Sequence, residues 1–309
     1  MGLVPSDIDT TLLEVGLKAI FRQEYAKPSN DAWKKVSMTM PSSGYNETYG
    51  FLGATPAMRE WLDERIPTGF QATPFTIANK DFEATLEVDR NALDDDRYGE
   101  IKVQVQLLAE SARRYYEERA FTVLASGEDS TYGLCYDGNE FFDDSHSEGT
   151  YYTTAQSNLG SSALSTTALS AARSAMMKFK DDRGKPLGII ADTLIVPPDL
   201  EDLAIQLTQS STTDASGNAT GAATGLKNPN QSRYQVIVTP WFTDADSWML
   251  CSCNGVNKPL IFQDRKPTEF AALEGNSERG FLTKKFLYGV DNRFNFGYSN
   301  WRYAYFSTP

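Results

Sequence analysis

Between residues 82 and 89 apolar and polar positions alternate without a break. Phe82, Ala84, Leu86 and Val88 fall on one side, and Glu83, Thr85, Glu87 and Asp89 on the other, the period of a half-buried strand. The acidic run Asp94-Asp95-Asp96 follows; such residues accept from the unpaired amides of a helix start and complement its dipole. From Ile101 the period changes. Apolar residues recur in steps of three and four at Val105, Leu108, Ala112, Tyr116, Ala120 and Val123, up to Gly127, which predicts one helix over 97–126 with a single buried stripe. Such a helix spans about 40 Å, against a usual length of about 11–12 residues, and reads as a strut. Its other side carries Lys102, Glu110, Arg113, Arg114 and Glu117 and is expected to stay polar.

Upstream, 45–52 reads as a strand that forms a hairpin with 76–90. Between the two legs, Thr55 as N-cap and Pro56 at the first helical position open a helix with an apolar face of Met58, Trp61, Leu62 and Ile66. At about ten residues it is marginal alone in water, so another chain or a neighbouring domain is expected to cover it. Residues 1–44 hold one short amphipathic segment, Leu12 to Phe21, before the helix-breaking Lys27-Pro28-Ser29-Asn30, and read as an arm.

Beyond the strut, Asp137-Gly138 marks a hairpin-type turn followed by Phe141-Phe142. A Ser/Thr-rich link at 153–167 leads into a helix with the face Leu169, Ala172, Met176 and Phe179, and Thr193–Val196 is a short buried strand. Pro197-Pro198-Asp199 then opens a helix over 200–209. This alternation predicts a compact α/β lobe. Residues 210–225 read as a solvated loop, and from Arg233 the chain turns β-rich and aromatic, with strands at 236–238, 248–250 and 286–306.

Composition mainly excludes. The formal charge is −12. Glu128, Asp129, Asp137, Glu140, Asp143, Asp144 and Glu148 lie in one stretch without Lys or Arg, and Asp192, Asp199, Glu201, Asp202 and Asp214 in another; together they account for the whole excess. Electrostatic binding of DNA needs clustered cations and is not expected. No segment reaches the roughly 18 apolar residues of a membrane span, and Glu14 and Lys18 interrupt the N-terminal apolar stretch, so no signal peptide is expected. Cys135, Cys251 and Cys253 form no CxxC; reduced thiols in a cytoplasmic compartment are the expectation, with Cys251 and Cys253 as small buried hydrophobes on one face of a strand. The single histidine, His146, stands beside Asp143 and Asp144. That trio is the one constellation that suggests a metal-dependent hydrolase; the plainer reading is a loop histidine after a hairpin strand. Asp94-Asp95-Asp96 could hold Mg²⁺, but a helix start explains them better. Nucleophile elbow, phosphate loop and dinucleotide fingerprint are all missing. No catalytic residue, cofactor or metal ligand is predicted.

An ordered set of short matches then carries a resemblance. Tyr49-Gly50-Phe51-Leu52-Gly53, Pro56, Met58-Arg59-Glu60-Trp61 and Arg65 are similar to the major head subunit of Mu-like bacteriophages. So are 75–90, Asp94-Asp95, Tyr136-Asp137-Gly138, 141–146 and Asn158-Leu159. Leu194-Ile195-Val196-Pro197-Pro198 with Leu200-Glu201, Asn228-Pro229, Trp248, Tyr288-Gly289-Val290, Arg293 and Gly297-Tyr298 continue in the same order. The likeness runs from about 45 to 305; the acidic 128–150 and Ser/Gly/Ala-rich 210–225 stretches stand outside it.

The resemblance implies an α+β fold, the Hong Kong 97-like major capsid fold. It assigns 1–44 to an N-terminal arm, 45–91 to an extended loop, 92–159 to a peripheral domain with spine helix 97–126, 160–260 to an axial domain and 261–309 to a return to the peripheral domain. It implies a structural protein, not an enzyme, that self-assembles into hexamers and pentamers of an icosahedral head around double-stranded DNA. Portal, scaffold and cement proteins are its implied partners, with no membrane. Residues 1–44 are too short for a built-in scaffolding domain, so the scaffold is expected to be separate. The expected location is the virion, with assembly in the host cytoplasm. An encapsulin-like bacterial compartment shell of the same fold is the alternative. Arg59, Trp61, Arg65 and Tyr49 are the expected inter-subunit contacts.

Overall fold

The structure, a computed structural model, describes residues 10–28, 31–52, 72–89, 98–147, 152–213, 226–273 and 282–309. Helices α1 (Thr10–Tyr25) and α2 (Ala32–Val36) lead into strand β1 (Ser37–Pro41), and β2 (Asn46–Leu52) pairs antiparallel with β3 (Ala72–Ala78). Asn79 separates β3 from β4 (Lys80–Asp89), so the expected second hairpin leg is two strands with different partners. The predicted strut is one unbroken helix, α3 (Tyr98–Ala125), of 28 residues.

Two sheets organise the rest. The first has the order β1-β11-β12-β4 and rests on two strands of 14 residues each, β11 (Leu260–Leu273) and β12 (Lys285–Tyr298). These pair antiparallel with each other, β4 pairs antiparallel with β12, and β1 adds in parallel to β11. The second sheet joins β5 (Leu159–Gly160), β13 (Ala304–Ser307), β10 (Trp248–Cys251), β6 (Thr193–Val196) and β9 (Gln235–Val238) in that order. Helix α4 (Thr166–Lys178) starts where Ser165 Oγ accepts from Ala168 N at 3.1 Å, and α5 (Glu201–Gln209) follows a short turn at Pro198–Leu200. A small ladder, β7 (Thr212–Thr213) with β8 (Leu226–Lys227), brackets 214–225.

Several elements differ from the expectation, each for a physical reason. The presumed arm contains α1, α2 and β1; it is built into the fold because Leu17, Phe21, Trp33 and Val36 are buried. Strand β11 escapes a hydrophobicity reading because its middle is Gln-Asp-Arg-Lys-Pro-Thr-Glu. The pairing with β12 slips at Asp264/Lys266 and again at Lys266/Glu269, around Pro267, which has no amide to give the ladder. The turn at Asp137-Gly138 exists, with Cys135 N donating to Asn139 O at 2.8 Å and Gly138 at φ +86°, but Phe141 and Phe142 run on into the core without joining a strand. The final segment divides: β12 belongs to the first sheet and β13 to the second.

Two apolar clusters result. One joins Leu17 and Phe21 of α1, Ile101, Val105, Ala109 and Ala112 of α3, and Val88, Phe270, Phe286, Tyr288 and Val290 of the first sheet. The other fills both sides of the second sheet and reaches the last turns of α3 through Tyr116, Ala120, Phe121, Val123 and Leu124. Where they meet, Thr268 Oγ1 lies 3.1 Å from Tyr25 Oη and 3.0 Å from Tyr116 Oη, and Asn292 Nδ2 donates to it at 3.1 Å. One polar knot thus ties α1, α3, β11 and β12 together.

Candidate functional site

The spine is the first part of the site. Ile101, Val105, Ala112, Tyr116, Ala120 and Val123 are buried, whereas Leu108 is half-buried against the first cluster. Ala109, Phe121 and Leu124, not singled out in the sequence, are fully buried; the stripe drifts because 3.6 residues per turn does not match alternating steps of three and four. The stripe packs on α1 and on the face formed by β4, β11 and β12. At the C-terminal end, Tyr298 Oη donates to Val123 O at 2.8 Å and Ser126 O at 3.2 Å, occupying carbonyls that a helix end leaves open. Gly127 is required by close approach: a Cβ there would meet Phe142 Cδ2 at 2.5 Å.

The polar side of the spine departs from the expectation at Glu117. It is half-buried and faces the Ala32 and Trp33 amides at the start of α2. Burial first, then the nearby Asp31, pushes its carboxyl up from 4.5 to about 7. Arg113 Nη1 donates to Lys27 O at 2.8 Å, and Gln106 Nε2 to Glu24 Oε2 at 3.2 Å. This side therefore anchors the N-terminal segments, while Lys102, Glu110 and Arg114 stay exposed.

The hairpin is the second part. Tyr49 is half-buried, its ring 5.6 Å from Phe75, and its hydroxyl donates to Gln263 Oε1 at 3.0 Å. Gln263 Nε2 in turn donates to Asn79 Oδ1 at 2.7 Å, so the hairpin base is pinned to β11. Burial, with Glu47 second, pushes the Tyr49 phenol up to about 12. The Tyr49 hydroxyl is thus engaged within the chain. Arg59, Trp61 and Arg65 lie outside the described residues, as do Asp94-Asp95-Asp96.

The third part is the knot at His146, which is fully buried and not an open-loop histidine. Its ring stacks on Trp301 with centroids 4.1 Å apart and 4° between planes. Asn158 Nδ2 donates to Phe141 O at 2.9 Å, Trp301 O at 3.2 Å and Ala304 O at 3.3 Å, and its Oδ1 accepts from the Asp143 amide at 3.0 Å. That orientation makes Oδ1 the acceptor for His146 Nε2 at 3.2 Å. Nδ1 faces Asp137 Oδ2 at 2.6 Å. Both ring nitrogens are met by partners within the chain, so neither faces open space where a metal could bind, and Asp143 Oδ1 is taken by Ser145 Oγ and the Ser145 amide. His146, with Asp137 and Asn158, is thereby a structural latch between 135–147, Asn158 and the 301–304 segment, and Asp144 stays exposed outside it. Among the described residues, no group of three or more His, Cys, Asp and Glu could hold a metal ion, and no helix is long and apolar enough to cross a membrane. Cys135, Cys251 and Cys253 are free thiols, all buried; burial pushes the Cys135 and Cys251 thiols up.

A long helix laid across a sheet of extended strands, a hairpin bonded to that sheet through Tyr49 and Gln263, and a second sheet accompanied by α4 and α5 define a capsid shell subunit with the Hong Kong 97-like fold. The same arrangement is found in the procapsid of bacteriophage JBD30, at 23% identity and TM-score 0.58 over 99% of this chain and 76% of that one. It recurs in the capsid of a native GTA particle, at 12% identity and TM-score 0.57, covering 92% of each chain. The chain belongs to the family of the Mu-like prophage major head subunit gpT, whose model matches residues 10–163, 156–242 and 243–309. It is a major capsid protein of a phage head. The match extends upstream of residue 45, through α1, α2 and β1. Among its relatives, the Mu-like prophage FluMu major head subunit of Haemophilus influenzae is 25% identical over 99% of this chain and 74% of its own length. The major capsid protein of Escherichia phage Mu is 25% identical over 93% and 71%.

Proposed function

We propose that this chain closes an icosahedral head as hexamers and pentamers around double-stranded DNA, with no catalytic role. The observation that carries the reading is the spine: 28 residues bonded along one side to α1 and the first sheet and along the other to α2. A shell under internal pressure needs such a rigid element, and its length matches the long strands it crosses. In this reading 45–91 is the extended loop, 92–159 the peripheral domain and 160–260 the axial domain. Residues 261–298 return to the peripheral sheet, and β13 closes the axial one. Arg59, Trp61 and Arg65 reach a neighbouring subunit, together with the half-exposed ring of Tyr49. Portal, scaffold and cement proteins are the further partners, the virion is the location and the host cytoplasm the place of assembly. The net charge of −12 suits an inner wall to which packaged DNA does not adhere. Nuclease protection tests this: particles should hold a nuclease-resistant DNA of uniform length. Particles that retain protein cargo and no DNA would favour the compartment shell instead.

A further inference from the structure

The last turns of α3, the loop that follows and the base of the hairpin enclose a cavity of about 260 Å³ lined by Ile77, Lys80, Arg119, Tyr132 and Phe296, among others. Two of these side chains are cations. The Arg119 guanidinium lies over the Tyr132 ring at 4.4 Å and the Phe82 ring at 6.0 Å, and Lys80 Nζ lies 6.0 Å from the same Tyr132 ring. Among the described residues neither forms an ion pair, and Arg119 Nε is buried without a hydrogen-bond partner. Asp81, next to Lys80 in sequence, is spent on Arg293 at 3.3 Å. Burial first, then repulsion from Arg119, holds the Lys80 ammonium below its ordinary value. Two like charges facing one recess, with no ion-pair partner among the described residues, are stabilised by an anion that enters it.

We propose that this recess receives an Asp or Glu carboxylate from a second copy of the chain, gripped by Lys80 and Arg119 where two shell subunits meet. The proposal rests on the capsid reading, which supplies the second copy. Charge complementarity favours that occupant. The chain carries 41 acids against 29 bases, and Glu128, Asp129 and Asp144 stand exposed in the stretch without Lys or Arg. In a shell each subunit meets its neighbours at high effective concentration. Nucleic acid fits less well, because a phosphate backbone is held by a row of cations along an open surface, whereas these two converge on one partly enclosed, aromatic-walled recess.

Zero-length cross-linking tests this. Particles assembled from equal amounts of light and heavy isotope-labelled subunits, verified by electron microscopy so that a failed shell is told apart from a failed pocket, are treated with a water-soluble carbodiimide. The reagent joins the Lys80 amine to a touching carboxylate as an amide. Digestion and mass spectrometry should yield a Lys80 peptide joined to an acidic peptide in mixed light and heavy pairs, absent from unassembled subunits and from Lys80→Gln particles. Lys80 should also acetylate roughly tenfold more slowly in particles, empty or filled, than in free subunits. Cross-links within one isotope only, or equal acetylation in particles and free subunits, would overturn the proposal. Protection confined to DNA-filled particles would overturn it in favour of phosphate.

Discussion

His146 shows how one side chain can be placed by its neighbours. The Asn158 amide is oriented by three carbonyls and one amide, so His146 Nε2 must donate to it, and Nδ1 meets a carboxylate that is itself 5% exposed. His146→Ala would leave Asp137 and Asn158 buried without their partner, and breaking a buried pair of this kind costs about 3–5 kcal/mol. Urea unfolding of the isolated subunit should show a loss of that size; a change under about 0.5 kcal/mol, the range of ordinary surface substitutions, would mean that the latch is ornamental. Glu117 gives the pH prediction at this scale. Its folded value, about 7, lies above the ordinary 4.5, so its contribution is fully present below about pH 4.5 and is lost as the pH rises through about 7. Glu117→Gln, which keeps an acceptor for the α2 amides, should therefore melt higher than the parent at pH 8 and equally at pH 4. The gain should be on the order of 1 kcal/mol, since solvent screens a half-buried group. A lower melting point for the variant at pH 8 would contradict this account of the site.

At the scale of elements, the spine contributes buried side chains to both apolar clusters. Ile101 is 2% exposed and sits between α1 and the first sheet, so Ile101→Ala should cost roughly 2–5 kcal/mol through the cavity it leaves. Leu108→Ala, at a half-buried position, should cost less than that. Equal losses at the two positions in thermal unfolding would show that the stripe is centred elsewhere. Strongly periodic elements were legible in the chain: β4 from its strict alternation, α3 from its three-and-four spacing, β6 from its apolar run Leu194-Ile195-Val196. Strand β11 was not, because tertiary pairing to β1 and β12 overrides a charged, proline-containing middle. Nor was the integration of α1 and α2 into the core, since it shows only in partners distant in sequence such as Phe270 and Phe262. The burial of His146 was hidden for the same reason: beside the nearby Asp137, Asn158 and Trp301 reach it from two other segments.

At the scale of the whole molecule, many copies of one chain make a capsid shell. Trp61 belongs to this scale, as a large aromatic whose stretch of sequence has no apolar partner surface of its own. Trp61→Ala should leave folded subunits, judged by circular dichroism, that fail to close particles, because a buried aromatic anchor is typically worth over 2 kcal/mol at an interface. Normal particle yield would remove Trp61 from the interface. The most direct test of the central claim is cryo-electron microscopy of the purified protein. It should show closed icosahedral particles whose subunit density contains a single unbroken helix over 98–125, lying on the β4, β11 and β12 face, with the hairpin tip on an adjacent copy. Small oligomers without closed shells, or a spine broken into two helices packed as a bundle, would contradict it.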